Sequence, residues 1–194
     1  DLIAQRISGL ALGYKDLNDH ETLRQDPLLA LLVGKSDLTG QQRLRRLEGG
    51  KPLAGKSTLN RLELHAREGS DRYHKIRPRS EAIEGLFVQL FLEAHAQAPE
   101  QIVLDLDATD DPLHGHQEGR FFHGYYDQYC YLPLYIFCGE HLLCSKLRTS
   151  NIDGAAGACE EIERIVRQIR AQWPSTRIIL RADSGFCREQ LMSY

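Results

Sequence analysis

The spacing of hydrophobic residues predicts helices in the first half of the chain and mainly strands in the second. Residues 1–98 have apolar positions three and four apart, which is the period of an amphipathic helix. One such set, ending before Gly34, comprises Leu23, Leu28, Leu29, Leu31 and Leu32. A second set comprises Ile83, Leu86, Phe87, Leu90 and Phe91. This half offers no clear strand.

After Pro99 the pattern changes to short apolar runs with β-branched residues, which favour strands. We predict strands over 101–109, 129–137 and 141–148, the last two joined by a tight turn at Gly139–Glu140, and a final strand ending at Asp183. A helix capped by Asp153 or Asn151 should precede that final strand. Its apolar stripe comprises Ala155, Cys159, Ile162, Val166, Ile169 and Trp173.

This order of elements predicts an α+β or α/β protein with two regions. A right-handed crossover through the helix would place the final strand parallel to, and near, the first. Strand, hairpin, crossover helix and strand is the order of a ribonuclease H-like core with a mixed sheet. We therefore expect a helical region at 1–98 and a partial ribonuclease H-like domain at 99–194.

Two carboxylates interrupt the first strand. Because side chains alternate along a strand, Asp105 and Asp107 share one face with Val103 and Thr109. A buried carboxylate is costly without a partner. Asp107 and Asp183 would meet at the ends of neighbouring strands, where ligands gather. Asp105 is the rival for the first position.

Paired carboxylates of this kind are suited to Mg²⁺ or Mn²⁺, which prefer oxygen ligands and support in-line phosphoryl displacement. The structural alternative is that Asp183 caps the following turn and that Asp105 or Asp107 accepts backbone N–H bonds. Asp110 and Asp111 are predicted as turn residues before Pro112.

Charge is distributed unevenly, although the formal net charge is only −3. Residues 41–79 hold 11 Lys/Arg against 4 Asp/Glu, whereas 80–194 hold 9 against 17. A basic segment beside an acidic one is typical of a phosphate-binding arm next to a metal-binding core, although solvated helix faces would give the same count. The candidate DNA-binding residues are Arg43, Arg45, Arg46, Lys51, Lys56 and Arg61.

Two local motifs are set aside. Gly50–Ser57 matches the P-loop pattern G-x-x-x-x-G-K-S, but a basic helical segment precedes it instead of a buried strand, and Pro52 removes one N–H donor. His114, His116 and His123 lie in a predicted glycine-rich loop, where hydrogen bonds or DNA contacts are favoured over zinc binding.

Composition agrees with an ordinary globular protein, at 42% hydrophobic and 26% charged residues. We expect no membrane span and no signal peptide, and therefore a cytoplasmic location. Five cysteines without a CxxC pair favour reduced thiols.

Several long segments carry a family resemblance: LDLDATDDPLHGHQEGRFFHGYYDQYCYLPLYIF, LRTSNIDGAAGA, ILRADSGF, LALGYKDLNDHETLRQDPLLALL and LAGKSTLNRLE. Together they resemble the DDE transposases of the IS1380 group, relatives of the IS4 superfamily. The resemblance covers nearly the whole chain.

The resemblance implies that the first catalytic acid is Asp107, in D-x-T, and that the second is Asp183, in D-S-G-F. It implies Mg²⁺ or Mn²⁺ at these residues, cleavage and strand transfer at insertion-sequence ends, and a homodimer on terminal inverted repeats and target DNA. The third acid, a Glu on a later helix, has no counterpart before Tyr194, so this chain alone is expected to be incomplete.

Two other functions remain open at this point. The same core could serve another metal-dependent nuclease or phosphohydrolase, which cleaves without joining strands. Alternatively, the chain could be a non-catalytic DNA-binding fragment of a truncated element.

Overall fold

The structure, a computed structural model, describes residues 1–44, 46–63 and 79–193. The chain divides into two compact units, Asp1–Pro78 and Arg79–Tyr194. Its described elements are helices and a mixed sheet, which confirms the predicted α+β class. No helix in the described part of the chain is long and apolar enough to cross a bilayer.

The first unit is built from short helices, as predicted for residues 1–40. They are α1 (Leu2–Ala11), α2 (His20–Leu23), α3 (Pro27–Leu32) and α4 (Lys56–Glu63). The leucines predicted to share one helix are divided between α2 and α3. Helix α3 starts anew at Pro27, where Asp26 caps it by accepting from the N–H groups of Leu28 and Leu29.

The predicted leucine stripe of this unit is only partly a core face. Leu23 and Leu29 are buried, but Leu28, Leu31 and Leu32 are exposed. The break at Pro27 turns α3 relative to α2, so positions that share one face on a continuous helix do not share it here.

The second unit begins with α5 (Ser80–Glu93) and contains two sheets. Their strands are β1 (Gln101–Ala108), β2 (Asp111–Pro112), β3 (Phe121–His123), β4 (Gln128–Tyr131), β5 (Leu134–Cys138), β6 (His141–Lys146) and β7 (Arg177–Ala182). Helix α6 (Ala158–Gln172) precedes β7, and α7 (Glu189–Met192) follows it.

The main sheet has the order β6-β5-β1-β7. Strands β5 and β6 form the predicted hairpin, which turns at Gly139 with a φ of 58°, and β5 is antiparallel to β1. Strand β7 returns through α6 to lie parallel to β1. This is the arrangement of a ribonuclease H-like core, as predicted.

One apolar core lies between this sheet and helices α5 and α6. Three β1 side chains, Ile102, Leu104 and Leu106, face it, together with the α6 residues Ile162, Ile165 and Ile169. The stripe predicted for α6 therefore packs on the sheet. Its N-cap is Gly157 rather than Asp153 or Asn151, and the Asp153 carboxylate instead accepts from the Ala155 N–H at 2.8 Å.

The buried face of α5 differs from the predicted one. Val88, Phe91 and Leu92 are buried, whereas Ile83, Leu86 and Leu90 are about half exposed. The side near Gly85 lies against α6, whose Arg164 and Gln168 donate to the carbonyl oxygens of Glu84 and Gly85. These contacts place α5 in the same compact unit as the sheet. The two units divide after Pro78, whereas the sequence pattern placed the division after residue 98.

The segment predicted as a long polar loop after β1 contains a second, small sheet in the order β2-β4-β3. Asp111 belongs to β2 rather than to a turn, and it pairs with Tyr131. The run predicted as one strand over 129–137 is two strands, β4 and β5, in different sheets. Pro133 lies between them, and a proline cannot donate a ladder hydrogen bond.

A carboxylate-bearing cleft at the ends of two parallel strands

Asp107 and Asp183 are brought to the same edge of the main sheet. In the parallel pair β1–β7, Leu106 is opposite Ala182, and in each strand the next residue is the candidate acid. Neighbouring strands are about 5 Å apart. The register therefore supports the expected juxtaposition of these two carboxylates.

The two faces of β1 are as the alternation predicts. Ile102, Leu104 and Leu106 are buried, whereas Asp105 is half-buried and Asp107 is exposed. In the described part of the chain the carboxylate face is open to solvent, so β1 is not buried on both faces. The acids are consequently accessible to a ligand without a large desolvation cost.

Asp105 has a structural partner. It lies opposite Arg181 across the β1–β7 pair, and the guanidinium binds both carboxylate oxygens, with Nη2 2.8 Å from Oδ2. The hydrogen bonds from Arg181 hold the pKa of Asp105 below its ordinary value. The Asp107 carboxylate has no such partner among the described residues, so it is more available to a ligand than Asp105 is.

Asp183 has two potential roles. Its Oδ1 accepts from the Gly185 N–H at 2.8 Å and so caps the 3₁₀ helix Ser184–Phe186, which is the structural alternative expected for this residue. Among the described residues, Oδ2 receives no hydrogen bond. Capping therefore orients the carboxylate and leaves its second oxygen available.

A cleft of about 320 Å³ opens beside Asp183. Its walls include Ala108 at the end of β1, Gly154 from the loop before α6, and His123, Tyr125 and Tyr126 from the small sheet. The Tyr126 hydroxyl donates to the Ala108 carbonyl at 3.4 Å. Burial, followed by the nearby negative charges of Asp110 and Asp107, raises the pKa of Tyr126. Tyr126 therefore lines the cleft and is hydrogen-bonded to Ala108, the residue after Asp107.

Arg148 fixes the loop that borders this cleft, and the sequence pattern did not single it out. Its guanidinium is buried and donates to the carbonyl oxygens of Leu132, Ala156 and Gly154 at 2.9, 2.5 and 3.1 Å. Arg148 lies two residues after β6, and a charged residue close to a strand end was the available signal. Its partners could not be read from the sequence because they lie on two different loops.

The donor set fits a hard divalent ion only in part. Two exposed carboxylates at adjacent strand ends supply oxygen ligands, as such ions prefer. No group of three or more His, Cys, Asp or Glu side chains in the described residues is arranged to hold a metal. The five cysteines are free thiols.

The candidate DNA-binding residues of the first unit differ in their availability. Arg43 is half-buried, and its guanidinium donates to the carbonyl oxygens of Lys51 and Pro52. Lys51 donates to the Leu47 carbonyl at 3.2 Å. Arg46, Lys56 and Arg61 are exposed. Arg45 and the basic residues of 64–78 lie outside the described part.

The P-loop-like segment is packed as a structural turn. The N–H group of Lys56 donates to the Glu21 carboxylate at 2.9 Å, so a protein anion already occupies the start of α4. A Cβ at Gly55 would lie 2.7 Å from side-chain atoms of both Arg24 and Glu21. These contacts agree with the rejection of nucleotide binding.

The loop histidines do not act together. The Arg120 guanidinium contacts His116 Nδ1 at 2.9 Å and also lies 4.5 Å from the centre of the Tyr129 ring. His123 ends β3 and lines the cleft, while His114 is exposed.

The full length of the chain, residues 1–194, matches the family model described as Transposase DDE domain group 1. No curated protein matches. A solved Mos1 transposase paired-end complex with left transposon end is 12% identical with a TM-score of 0.31, over 87% of this chain and 55% of that one. A likeness at this level carries no argument about the site, and this chain spans about half the length of that transposase. On the family match, the chain belongs to the DDE transposase domain family.

Proposed function

We propose that this chain is part of a transposase that cleaves DNA at insertion-sequence ends and joins the freed strand to target DNA. The observation that carries the proposal is the β1–β7 register, which sets Asp107 and Asp183 at adjacent strand ends on an open face. We also propose that the protein belongs to the IS1380 group and that it acts in the bacterial cytoplasm, near the nucleoid.

In this proposal Asp107 and Asp183 are the catalytic carboxylates and would hold Mg²⁺ or Mn²⁺, which stabilises charge on the scissile phosphate. The protein's own contribution is positional. The Gly185 N–H orients the Asp183 carboxylate, and Arg181 binds Asp105 so that it is not free to act as a ligand. Arg148 holds the loop at Gly154 that forms one wall of the cleft.

The substrate would be the terminal inverted repeats and the target DNA. The exposed cations Arg46, Lys56 and Arg61 are suited to phosphate contacts, whereas Arg43 supports the loop itself. Binding through phosphates releases counterions, so affinity should fall steeply with added salt. We propose that the helical region binds DNA and that the region containing the main sheet is catalytic.

A homodimer is proposed from the helices of the first unit. Helices α1 and α3 contact each other, and both turn aliphatic side chains to solvent. These side chains are Ile3, Ile7, Leu10, Leu28, Leu31 and Leu32, each at least 47% exposed.

The charge pattern of these helices favours a second copy of the chain as the partner. Helix α3 has no charged residue, and the one charged residue of α1, Arg6, is paired with Glu63. An uncharged apolar face can pair with itself across a two-fold axis, as an isologous dimer requires. Apolar patches of this kind mark interfaces more often than they remain solvated.

The test of the catalytic proposal is calorimetric titration of Mn²⁺ into the chain and three variants. Asp107→Asn and Asp183→Asn should each lose the binding seen in the wild type, because each removes a charged oxygen ligand. Asp105→Asn is the matched control, and it should retain binding because Asp105 is engaged by Arg181. Equal binding by all four proteins would disprove the paired-carboxylate site.

A further inference from the structure

Three aromatic rings form one packed group beside Asp183. The His123 and Tyr126 ring centres are 4.9 Å apart, and those of Tyr125 and Tyr126 are 5.0 Å apart. All three rings line the same cleft as Asp183. The β3–β4 connection presents them, with Asp127 at a positive φ of 52°, a conformation that few non-glycine residues adopt.

Tyr125 has little structural reason to occupy its position. Its side chain is 85% exposed, although it lies at the rim of the cleft. A ring that is packed edge-on against one neighbour and open on its remaining surface can accept a second flat group.

His123 supplies a polar atom without a partner. Its Nδ1 is buried and makes no hydrogen bond within the described residues. A buried polar atom left unsatisfied is destabilising, and a bound ligand can remove that cost.

The lining of the cleft indicates the kind of ligand. Among the described residues, the lining contains no Lys or Arg, and Asp183 is its one charged carboxylate. A phosphate group would therefore find no cation there, whereas an uncharged aromatic group could stack on Tyr125. A volume of about 320 Å³ is at the lower end for ligand pockets and suits one planar group rather than a peptide segment.

We propose that the His123–Tyr125–Tyr126 pocket binds one unpaired nucleobase of the DNA strand whose phosphate reaches Asp107 and Asp183. This inference rests on the proposed function, because it assumes that DNA approaches these carboxylates. Stacking on tyrosine is tolerant of base identity, so the pocket would recognise an unpaired base rather than a sequence. Holding that base would anchor the strand next to the cleavage site.

The experiment measures the fluorescence anisotropy of two labelled DNA duplexes with the full chain, in EDTA so that no cleavage occurs. One duplex is blunt, and the other has a short single-stranded overhang. The wild type should prefer the overhang. Tyr125→Ala should bind the overhang roughly tenfold more weakly and the blunt duplex unchanged.

Phe122→Ala is the matched control, since Phe122 belongs to the same small sheet but packs on Tyr129 and does not line the cleft. It should behave as the wild type does. Equal losses in both variants would show damage to the small sheet and overturn the pocket.

Two outcomes separate failure of this inference from failure of the proposed function. If the wild type binds both duplexes equally and Tyr125→Ala changes nothing, DNA binding stands and the base pocket is wrong. If the wild type binds neither duplex, the proposed DNA substrate is itself contradicted.

Discussion

Three backbone carbonyl groups on two loops depend on one guanidinium, that of Arg148. We expect Arg148→Met to lower the free energy of unfolding by about 2–4 kcal/mol, because buried acceptors lose their donor. Urea unfolding of the whole chain measures this loss. Arg167→Met, at an exposed position of α6, is the control and should stay within about 0.5 kcal/mol.

Glu161 on α6 is a second buried charge with a defined effect. Lys146 and Arg164 bind its two oxygens at 2.6 and 2.9 Å. Burial alone would raise the pKa of Glu161, but the hydrogen bonds from these two cations outweigh it and leave the pKa below the ordinary 4.5. The stability from this pair is therefore complete above pH 4.5 and is lost as the pH falls below it.

We expect Glu161→Gln to destabilise the protein by about 2 kcal/mol near neutral pH, less than for fully buried pairs because Lys146 is 45% exposed. Unfolding free energies from about pH 6 to about pH 3 should decline less in the variant than in the wild type. Parallel decline in the two proteins would contradict this assignment. The slope left in the variant would come from other carboxylates with lowered pKa values, which are Asp16, Asp37, Asp105 and Asp153.

Sequence spacing was sufficient for some of these residues and insufficient for others. Asp107 lies near the end of β1 and Asp183 directly follows β7, so strand order alone predicts that they lie close together. Arg148 and Glu161 were not predicted, because their partners lie on other elements and local patterns do not reveal them. The Arg181 pairing of Asp105 likewise depends on the parallel register, which the sequence does not state.

Among the elements, α5 shows where periodicity stops being informative. Apolar residues lie on most of its circumference, so several faces fit a helical stripe equally well. Of the predicted set, Phe91 is buried, whereas Ile83, Leu86 and Leu90 are about half exposed. The stripe of α6 has charged residues on its opposite side, and there the prediction of a sheet-packing face is confirmed.

A matched pair of substitutions tests the face of α5. Leu92 is 3% exposed and Leu90 is 53% exposed on the same helix. Leu92→Ala should lower the free energy of unfolding by about 2–4 kcal/mol, because it leaves a cavity in the core, whereas Leu90→Ala should cost less than about 1 kcal/mol. Thermal or urea unfolding compares the two variants directly. A larger loss of stability in Leu90→Ala than in Leu92→Ala would support the buried face predicted from the sequence.

For the whole molecule, the α1–α3 surface predicts concentration-dependent association. Leu31→Lys should shift the wild-type dimer to monomer, because a charge would be buried at a self-complementary apolar interface. Sedimentation velocity over a range of protein concentrations measures the change. Thr22→Lys adds the same charge at an exposed position of α2 and should leave the dimer intact. A wild type that stays monomeric throughout would contradict the homodimer.

The Asp105–Arg181 pair also acts on folding errors. A shift of β7 by one residue against β1 would turn every β7 side chain to the other face of the sheet. Arg181 would then face Leu104 and Leu106 in the core, and its charge would have no counterion. The penalty for that misalignment falls on the same strand that delivers Asp183. The ion pair thus favours the alignment of β1 and β7 that would bring Asp107 and Asp183 together.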